Sequence, residues 1–176
     1  MIPLSSATSP AISSGLTWSK IPHSRDYELK LNGEAVGTLR RPGWFSSSFL
    51  AETQVGNWTF RRSGWGSGAQ ILDTASQQPI ATLKSSWGSG GTLTFADGQT
   101  FHLKCKGWWR PVWSVIANSG ETLLQLHRRE KTVEVQEGSA VPASRLTLLI
   151  MFTWYRILQA EEDAASAAMV AVVAVT

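Results

Sequence analysis

The feature that most constrains the fold is a small residue followed by tryptophan, which recurs every 21 or 22 residues through the middle of the chain. The four copies are Gly43-Trp44, Gly64-Trp65, Ser86-Trp87 and Gly107-Trp108. A constant spacing of this size indicates an internal repeat built from one supersecondary unit. Each repeat also has a turn signal containing Gly, Pro, Asn or Asp near its middle, at 54–57, 76–79, 96–99 and 118–121. The sequence therefore predicts that each repeat is a β-hairpin.

Strand patterns flank these turns. Residues 100–106 alternate polar and apolar side chains, as a strand with one buried face does. Cys105, the only cysteine, falls on the apolar side of this strand, and we expect it to be a small buried hydrophobe rather than a reactive thiol. Upstream, Asn32-Gly33 lies between two strand-like runs and is the strongest short-range hairpin signal. This signal adds a fifth hairpin.

A first strand at 16–21 and a last strand at 132–136 bring the predicted total to about twelve, with short turns between sequence neighbours. A meander of this kind leaves two unpaired edges unless it closes on itself. We therefore predict a mainly β fold, a closed antiparallel barrel. A propeller is a poorer fit, because its blades usually have four strands and about 40 residues. The lumen of so wide a barrel cannot be filled by strand side chains alone.

The segment 146–158 is the candidate for filling that lumen. Its apolar side chains surround the helical wheel, which is typical of a helix buried on every side or placed in a membrane. Such a helix would be about 20 Å long, shorter than the roughly 30 Å of bilayer hydrocarbon. We therefore favour a core helix ending near Gln159 over a membrane anchor, and we expect no transmembrane span. Its central residues are Leu149, Phe152, Trp154, Tyr155 and Arg156.

The Arg156 head group is expected at the barrel mouth, in water or paired with a carboxylate. The predicted organisation is a disordered leader at 1–15, one barrel-plus-helix domain at 16–160 and an Ala/Val-rich tail at 161–176. Acidic residues at 161–163 mark the exit of the helix to solvent, and the tail fits a docked helix, an edge strand or a fraying end. A single cysteine and no secretion signal favour a cytoplasmic location, peripheral to a membrane.

The sequence offers little catalytic or metal-binding chemistry. His23, His102 and His127 lie far apart, with no spacing typical of a metal site. The glycine-rich run 64–68 precedes a strand rather than a helix, so it lacks the helix N-terminus that holds phosphate. No Gly-x-Ser-x-Gly elbow lies between a strand and a helix. We therefore expect no catalytic residues, no metal and no cofactor, and we do not expect an enzyme.

Basic residues recur in phase with the repeat, shortly before each tryptophan and at the end of the next hairpin. They are Arg40, Arg41, Arg61, Arg62, Lys84, Lys104, Lys106, Arg128 and Arg129. Equivalent positions of successive hairpins lie at one end of a closed meander, so we expect a crown of cations at one rim, with about one exposed cation per hairpin. Such cations can simply keep a rim hydrated. They can also bind an anionic membrane, where each contributes about 1 kcal/mol.

The order of elements, the tryptophan-paced hairpins and the segment LLIMFTWYRILQAEEDAA resemble the tubby C-terminal-like superfamily, which contains tubby proteins, phospholipid scramblases and LURP-one-related proteins. The resemblance covers about 16–159, is strongest to small bacterial members, and implies that the closing helix threads the barrel. It implies phosphoinositide binding of the tubby type or calcium-linked lipid movement of the scramblase type. This chain departs from scramblases because it has no cysteine cluster for palmitoylation and no Asp-x-Asp-x-Asp-Gly run of calcium ligands.

The predicted function is reversible, non-catalytic binding of anionic lipid head groups, phosphoinositide or another acidic phospholipid, at the basic rim. The alternative is a protein-interaction scaffold that uses the tail or the barrel surface. Specific binding of nucleic acid is not expected, because the net charge of +3 is low for that class. The fixed period and small neighbours of the tryptophans also indicate packing at strand starts rather than base stacking.

Overall fold

A computed structural model describes residues 15–43, 46–64, 68–86 and 90–173, with side chains described to residue 169. Within these residues, twelve strands come first and one helix follows them. The strands are β1 (Leu16–Lys20), β2 (Tyr27–Leu31), β3 (Glu34–Arg40), β4 (Phe49–Thr53), β5 (Gly56–Arg62), β6 (Ala69–Asp73), β7 (Pro79–Ser85), β8 (Gly91–Phe95), β9 (Thr100–Lys106), β10 (Val112–Ala117), β11 (Thr122–His127) and β12 (Thr132–Val135).

The strands form a closed antiparallel barrel, so the predicted fold class is confirmed. Each strand pairs with its sequence neighbours, and β1 closes the barrel against β12 through Leu16 opposite Val133 and Thr17 opposite Thr132. The turn at Asn32-Gly33 has φ angles of 51° and 89°, the left-handed geometry that a two-residue hairpin loop needs. Closure removes both edges of the meander, which is the physical reason that the short strands are stable together.

The two ends of the barrel carry different connections. One end, called the entry rim here, carries the tight turns 32–33, 54–55, 74–78, 96–99 and 118–121. The other end, called the exit rim, carries the connections 21–26, 41–48, 63–68, 86–90, 107–111 and 128–131. The small residues that precede the four repeat tryptophans, Gly43, Gly64, Ser86 and Gly107, belong to exit-rim connections. Trp44, Trp65 and Trp87 themselves lie outside the described residues.

The helix α1 (Ala143–Val173) enters at the entry rim and leaves at the exit rim. Near its start, Nη1 of Arg145 lies 2.7 Å from Oδ2 of Asp97 in the β8–β9 turn. Residues 148–159 are buried inside the barrel, whereas 162–169 are exposed beyond it. Nowhere in the described part of the chain does a helix combine the length and the hydropathy that crossing a bilayer requires.

The helix is longer than predicted, because it does not end near Gln159 but continues to Val173. The part of the predicted tail that the structure describes is therefore an extension of the same helix. The physical reason is composition: alanine has the highest helix propensity, and the segment 160–173 contains neither Gly nor Pro to end the helix. The acidic run at 161–163 does mark the point where exposure begins.

Aromatic side chains of α1 pack against the inner faces of the strands, which confirms the predicted core helix. The Trp154 ring stacks on Trp18 of β1 at a centroid distance of 5.1 Å. The Phe152 ring lies 5.4 Å from that of Phe60 on β5. Burial of each large apolar side chain contributes about 1.5 to 3 kcal/mol before entropy is counted. The helix therefore supplies the core that the strands cannot supply alone.

Arg156 is not placed as predicted. Its side chain is 6% exposed, and its Nη1 donates a hydrogen bond of 2.5 Å to Oε1 of Gln159. No described carboxylate forms an ion pair with it, and burial lowers the pKa of its guanidinium. The Gln159 amide in turn donates to the Tyr155 hydroxyl at 2.5 Å. The neighbouring helix carboxylates are one turn further out, where they pair with rim arginines instead.

Candidate functional site

Charge is segregated along the barrel axis. Of the 16 lysines and arginines, all except Lys30, Arg145 and Arg156 lie in the exit-side half of a strand or in an exit-rim connection. The nine basic residues predicted to form a crown are all at this end. The 13 acidic residues are divided between the two ends: seven lie on the entry side and six on the exit side, the latter being Asp26, Glu28, Glu130, Glu161, Glu162 and Asp163. The exit side therefore has thirteen cations against six acids, and the entry side has two cations, Lys30 and Arg145, against seven acids. The barrel therefore presents a basic exit rim and an acidic entry rim.

One set of rim cations lies on the outer wall. Arg40, Arg61, Lys84 and Lys104 are exposed and occupy β3, β5, β7 and β9. The expected one exposed cation per hairpin is exceeded on β9, where Lys106 is exposed as well, and after β11, where Arg128 and Arg129 are both exposed. Arg40 forms an ion pair of 3.3 Å with Glu52. Arg61 donates to Oε1 of Gln70 on the next strand at 3.0 Å and 3.1 Å, which leaves its charge uncompensated. These side chains point outward because strand residues alternate between the two faces.

A second set of rim arginines contacts the helix where it leaves the barrel. Arg41 pairs with Glu162, Arg62 with Asp163 at 2.6 Å, and Arg128 with Glu161 at 2.5 Å. We call Glu161, Glu162 and Asp163 the acidic collar. Consecutive helical residues point about 100° apart, so the three carboxylates reach arginines on different sides of the rim. The collar therefore joins the exposed end of α1 to the rim at three separate positions.

The collar also changes the ionisation of groups around it. The hydrogen bond that the Arg62 guanidinium donates to Asp163 is the main cause of the raised pKa of that guanidinium. The pKa of the Tyr27 hydroxyl is raised chiefly by burial and further by Glu161 and Glu162. Sequence analysis placed these acids in solvent and did not pair them. The available signal was three consecutive acids one turn beyond the last large apolar residue, Leu158.

A cleft of about 420 Å³ opens beside the collar. Lys20, Arg128, Arg129 and Lys131 supply its positive charge, and Trp109 forms part of its wall. Lys20 and Lys131 were not among the predicted residues. They meet only because β1 pairs with β12, where the Trp18 amide donates to the Lys131 carbonyl oxygen at 2.8 Å. Nothing in local sequence indicates that contact across the closing seam.

The tryptophans of the 107–111 connection are exposed to solvent, Trp108 at 94% and Trp109 at 86%. The predicted packing of the repeat tryptophans at strand starts is therefore wrong for Trp108; the other three marker tryptophans lie outside the described residues. Gly107 explains the difference. Its φ of 90° turns the chain away from the barrel at the end of β9, and a Cβ there would lie 2.7 Å from the Arg110 carbonyl oxygen.

The remaining candidate groups are dispersed. Among residues 15–43, 46–64, 68–86 and 90–173, no cluster of three or more His, Cys, Asp or Glu side chains could hold a metal ion. Cys105 is half-buried rather than fully buried, it packs against the core, and burial raises the pKa of its thiol. The site therefore offers positive charge and aromatic surface, which bind anions and amphipathic interfaces.

Comparison with protein-family models, with curated proteins and with solved structures finds no match for this chain.

Proposed function

We propose that the protein is a non-catalytic barrel that associates reversibly with anionic lipid head groups, phosphoinositides or other acidic phospholipids, through its exit rim. The observation that carries this proposal is the segregation of charge along the barrel axis. The rim cations are placed around one end, on several strands, so many of them can approach one anionic surface together. The exit side has a surplus of seven positive charges and the entry side a surplus of five negative charges, a difference that hydration alone does not require.

The magnitude fits reversible binding. Five of the nine predicted cations form no ion pair with a described carboxylate: Arg61, Lys84, Lys104, Lys106 and Arg129. At about 1 kcal/mol each near an anionic membrane, they would contribute about 5 kcal/mol. That free energy corresponds to a dissociation constant of roughly 0.1 to 1 mM, so association would be weak and sensitive to salt.

The same proposal assigns the chain to the tubby C-terminal-like superfamily. A closed barrel of twelve strands with a central C-terminal helix supports the assignment, because it is the architecture that the resemblance implies. The proposed location is the cytoplasm, peripheral to a membrane, which agrees with a single cysteine. Lipid movement of the scramblase type is not part of the proposal.

Flotation of the purified chain with vesicles tests the function. We expect it to float with phosphatidylserine-containing vesicles at low salt, to float less at physiological salt, and not to float with phosphatidylcholine alone. The salt dependence follows because exposed charges are screened within about 8 Å at physiological ionic strength. Absence of flotation with acidic vesicles at low salt would overturn the proposal.

The acidic collar is expected to restrain binding, because it occupies three arginines of the rim. The triple variant Glu161→Gln, Glu162→Gln and Asp163→Asn keeps side-chain shape and removes those ion pairs. Freeing three cations at about 1 kcal/mol or less each should tighten binding to acidic vesicles roughly tenfold to a hundredfold. Stability should change little, because exposed ion pairs contribute about 0 to 1 kcal/mol each.

A charge-matched variant separates the collar from net charge. Glu34→Gln, Glu121→Gln and Glu137→Gln remove three exposed carboxylates at the entry rim that form no ion pair with a described residue. We expect this variant to bind acidic vesicles within about threefold of wild type. An equal gain in both triple variants would show that net charge alone decides, and no gain in the collar variant would show that the collar does not restrain binding.

The helical extension favours a second candidate function, a protein-interaction scaffold. Residues 162–169 of α1 are exposed, and Met169 is 72% exposed. An exposed helix with apolar side chains can dock in the groove of a partner. A chain truncated after Ser166 retains the collar and distinguishes the two functions: vesicle flotation should be unchanged, whereas a partner that docks on the extension would be lost.

A further inference from the structure

We propose that the connection 107–111 is a membrane contact, in which Trp108 and Trp109 enter the interfacial layer of an acidic lipid surface while neighbouring cations contact head-group phosphates. This inference rests on the proposed function and adds an orientation to it, with the exit rim facing the lipid. It also adds aromatic side chains to a site that sequence analysis built from cations alone.

The first observation is exposure. Two adjacent tryptophans are 94% and 86% exposed, whereas Trp18, Trp58, Trp113 and Trp154 are buried. A tryptophan buries 150–250 Å² when it is covered, so leaving two of them in water forgoes a large apolar contribution. Exposed apolar surface of this kind is typical of an interaction site.

The second observation is that the loop displays these rings in a defined way. β9 and β10 pair up to Lys106 opposite Val112, directly beside the connection. Gly107 adopts a φ of 90° and packs so closely against the Arg110 carbonyl that a Cβ would not fit. A short connection between paired strands, with one required glycine, defines the backbone that carries these rings, which lowers the entropic cost of ordering the connection on binding.

The third observation is the chemistry next to the rings. Trp109 lines the basic cleft together with Lys20, Arg128, Arg129 and Lys131. Lys106 lies one residue before the connection and is exposed. Tryptophan concentrates at the boundary between hydrocarbon and head groups, because its ring is apolar and its N–H needs a partner, and basic residues are attracted to acidic head groups.

A lipid surface fits this arrangement better than a nucleic acid does. The rim cations lie on strands around the end of the barrel rather than along one groove, so they do not form the continuous track that a single strand needs. The net charge of +3 is also small for a nucleic-acid binder. Binding of single-stranded oligonucleotide is therefore kept as a competing outcome of the experiment.

The test compares two double variants in vesicle flotation at low salt. Trp108→Ser with Trp109→Ser removes the rings, and Leu31→Ser with Val55→Ser removes exposed apolar side chains at the entry rim, 38% and 50% exposed in the wild type. We expect the first variant to bind phosphatidylserine vesicles at least about tenfold more weakly and the second to bind within about twofold of wild type. The tryptophan variant should keep the wild-type thermal unfolding midpoint, whereas the control should lose a few degrees because Leu31 and Val55 are partly covered in the wild type.

A second measurement reports depth. Vesicles with brominated acyl chains should quench wild-type tryptophan fluorescence more than that of the Trp108→Phe, Trp109→Phe variant. If wild type binds acidic vesicles and the Trp108→Ser, Trp109→Ser variant binds them equally tightly, this inference is overturned and the proposed function stands. The same conclusion follows if that variant and the Leu31→Ser, Val55→Ser variant lose equal affinity. Wild type that fails to bind acidic vesicles would overturn both. If wild type binds oligo(dT) tightly, and the Trp108→Ser, Trp109→Ser variant loses that binding but still binds vesicles as wild type does, the inference is overturned in favour of nucleic acid.

Discussion

Replacing Phe152 with Asp should leave the chain without a folded state. The Phe152 side chain is fully buried at the centre of the barrel, where its ring lies 5.4 Å from Phe60 and 5.7 Å from Tyr155. Removing a buried phenylalanine costs about 3 to 5 kcal/mol, and burying an unpaired carboxylate costs several more. Since a domain of this size is stable by about 5 to 15 kcal/mol, the sum is sufficient to unfold it. Near-UV circular dichroism and a urea titration would measure the loss.

Two matched variants keep this prediction interpretable. Ala168→Asp places the same charge on the exposed part of the same helix and should keep the wild-type urea midpoint. Phe152→Leu should fold with a loss of about 1 to 3 kcal/mol in the free energy of unfolding, because it keeps an apolar group but leaves a small cavity. A cooperative, wild-type-like unfolding transition of Phe152→Asp would show that the barrel does not depend on the helix for its core.

Reversing three outward cations, with Arg40→Glu, Arg61→Glu and Lys104→Glu, should reduce binding to acidic vesicles at least a hundredfold. Losing the unpaired Arg61 and Lys104 removes about 2 kcal/mol, and three new carboxylates at the rim, one of them beside Glu52, add repulsion of at least about 1 kcal/mol. A difference of 1.4 kcal/mol is tenfold in affinity, so the expected loss exceeds a hundredfold. Flotation at low salt, with dissociation constants from a lipid titration, measures it.

The reversal variant should remain folded, because its three side chains lie on the outer wall and contribute little to the core. Arg40 pairs with Glu52, and Arg61 contacts the side-chain oxygen of Gln70. Exposed contacts of this kind contribute about 0 to 1 kcal/mol each, so the thermal midpoint should fall by only a few degrees. If the reversal variant is folded and binds acidic vesicles as tightly as wild type, the exit rim takes no part in binding.

Much of the fold was predictable because its signals are local. Each hairpin turn lies inside one repeat, and Asn32-Gly33 specifies its own geometry. Closure of the barrel was predictable because an open meander would leave two strand edges unpaired. The core helix was predictable because strand side chains alone cannot fill the lumen of so wide a barrel. The helix end was mispredicted because large apolar side chains were taken as its signal, whereas the Ala-rich segment beyond Gln159 is helical by propensity alone.

The candidate site was predictable only in part. The spacing of the repeat predicted that the nine cations lie at one end of the barrel. It did not predict their ion-pair partners, because those partners come from distant segments of the chain. Arg41 and Glu162 are 121 residues apart, and Arg62 and Asp163 are 101 apart. The presence of Lys20 and Lys131 in one cleft depends on the closing seam of β1 and β12, and the exposure of Trp108 is explained by the backbone turn at Gly107. Such contacts follow from three-dimensional closure and have no signature in a single segment.

The most direct test of rim-mediated binding compares two variants that lower the net charge equally at opposite ends of the barrel. Arg40→Gln, Arg61→Gln and Lys104→Gln remove three charges at the exit rim. Gln54→Glu, Gln78→Glu and Ser119→Glu add three exposed carboxylates at the entry rim. In flotation with phosphatidylserine vesicles at low salt, we expect the exit-rim variant to lose about a hundredfold in affinity and the entry-rim variant to lose less than about threefold. Equal losses, or no loss in the exit-rim variant, would contradict binding through the exit rim.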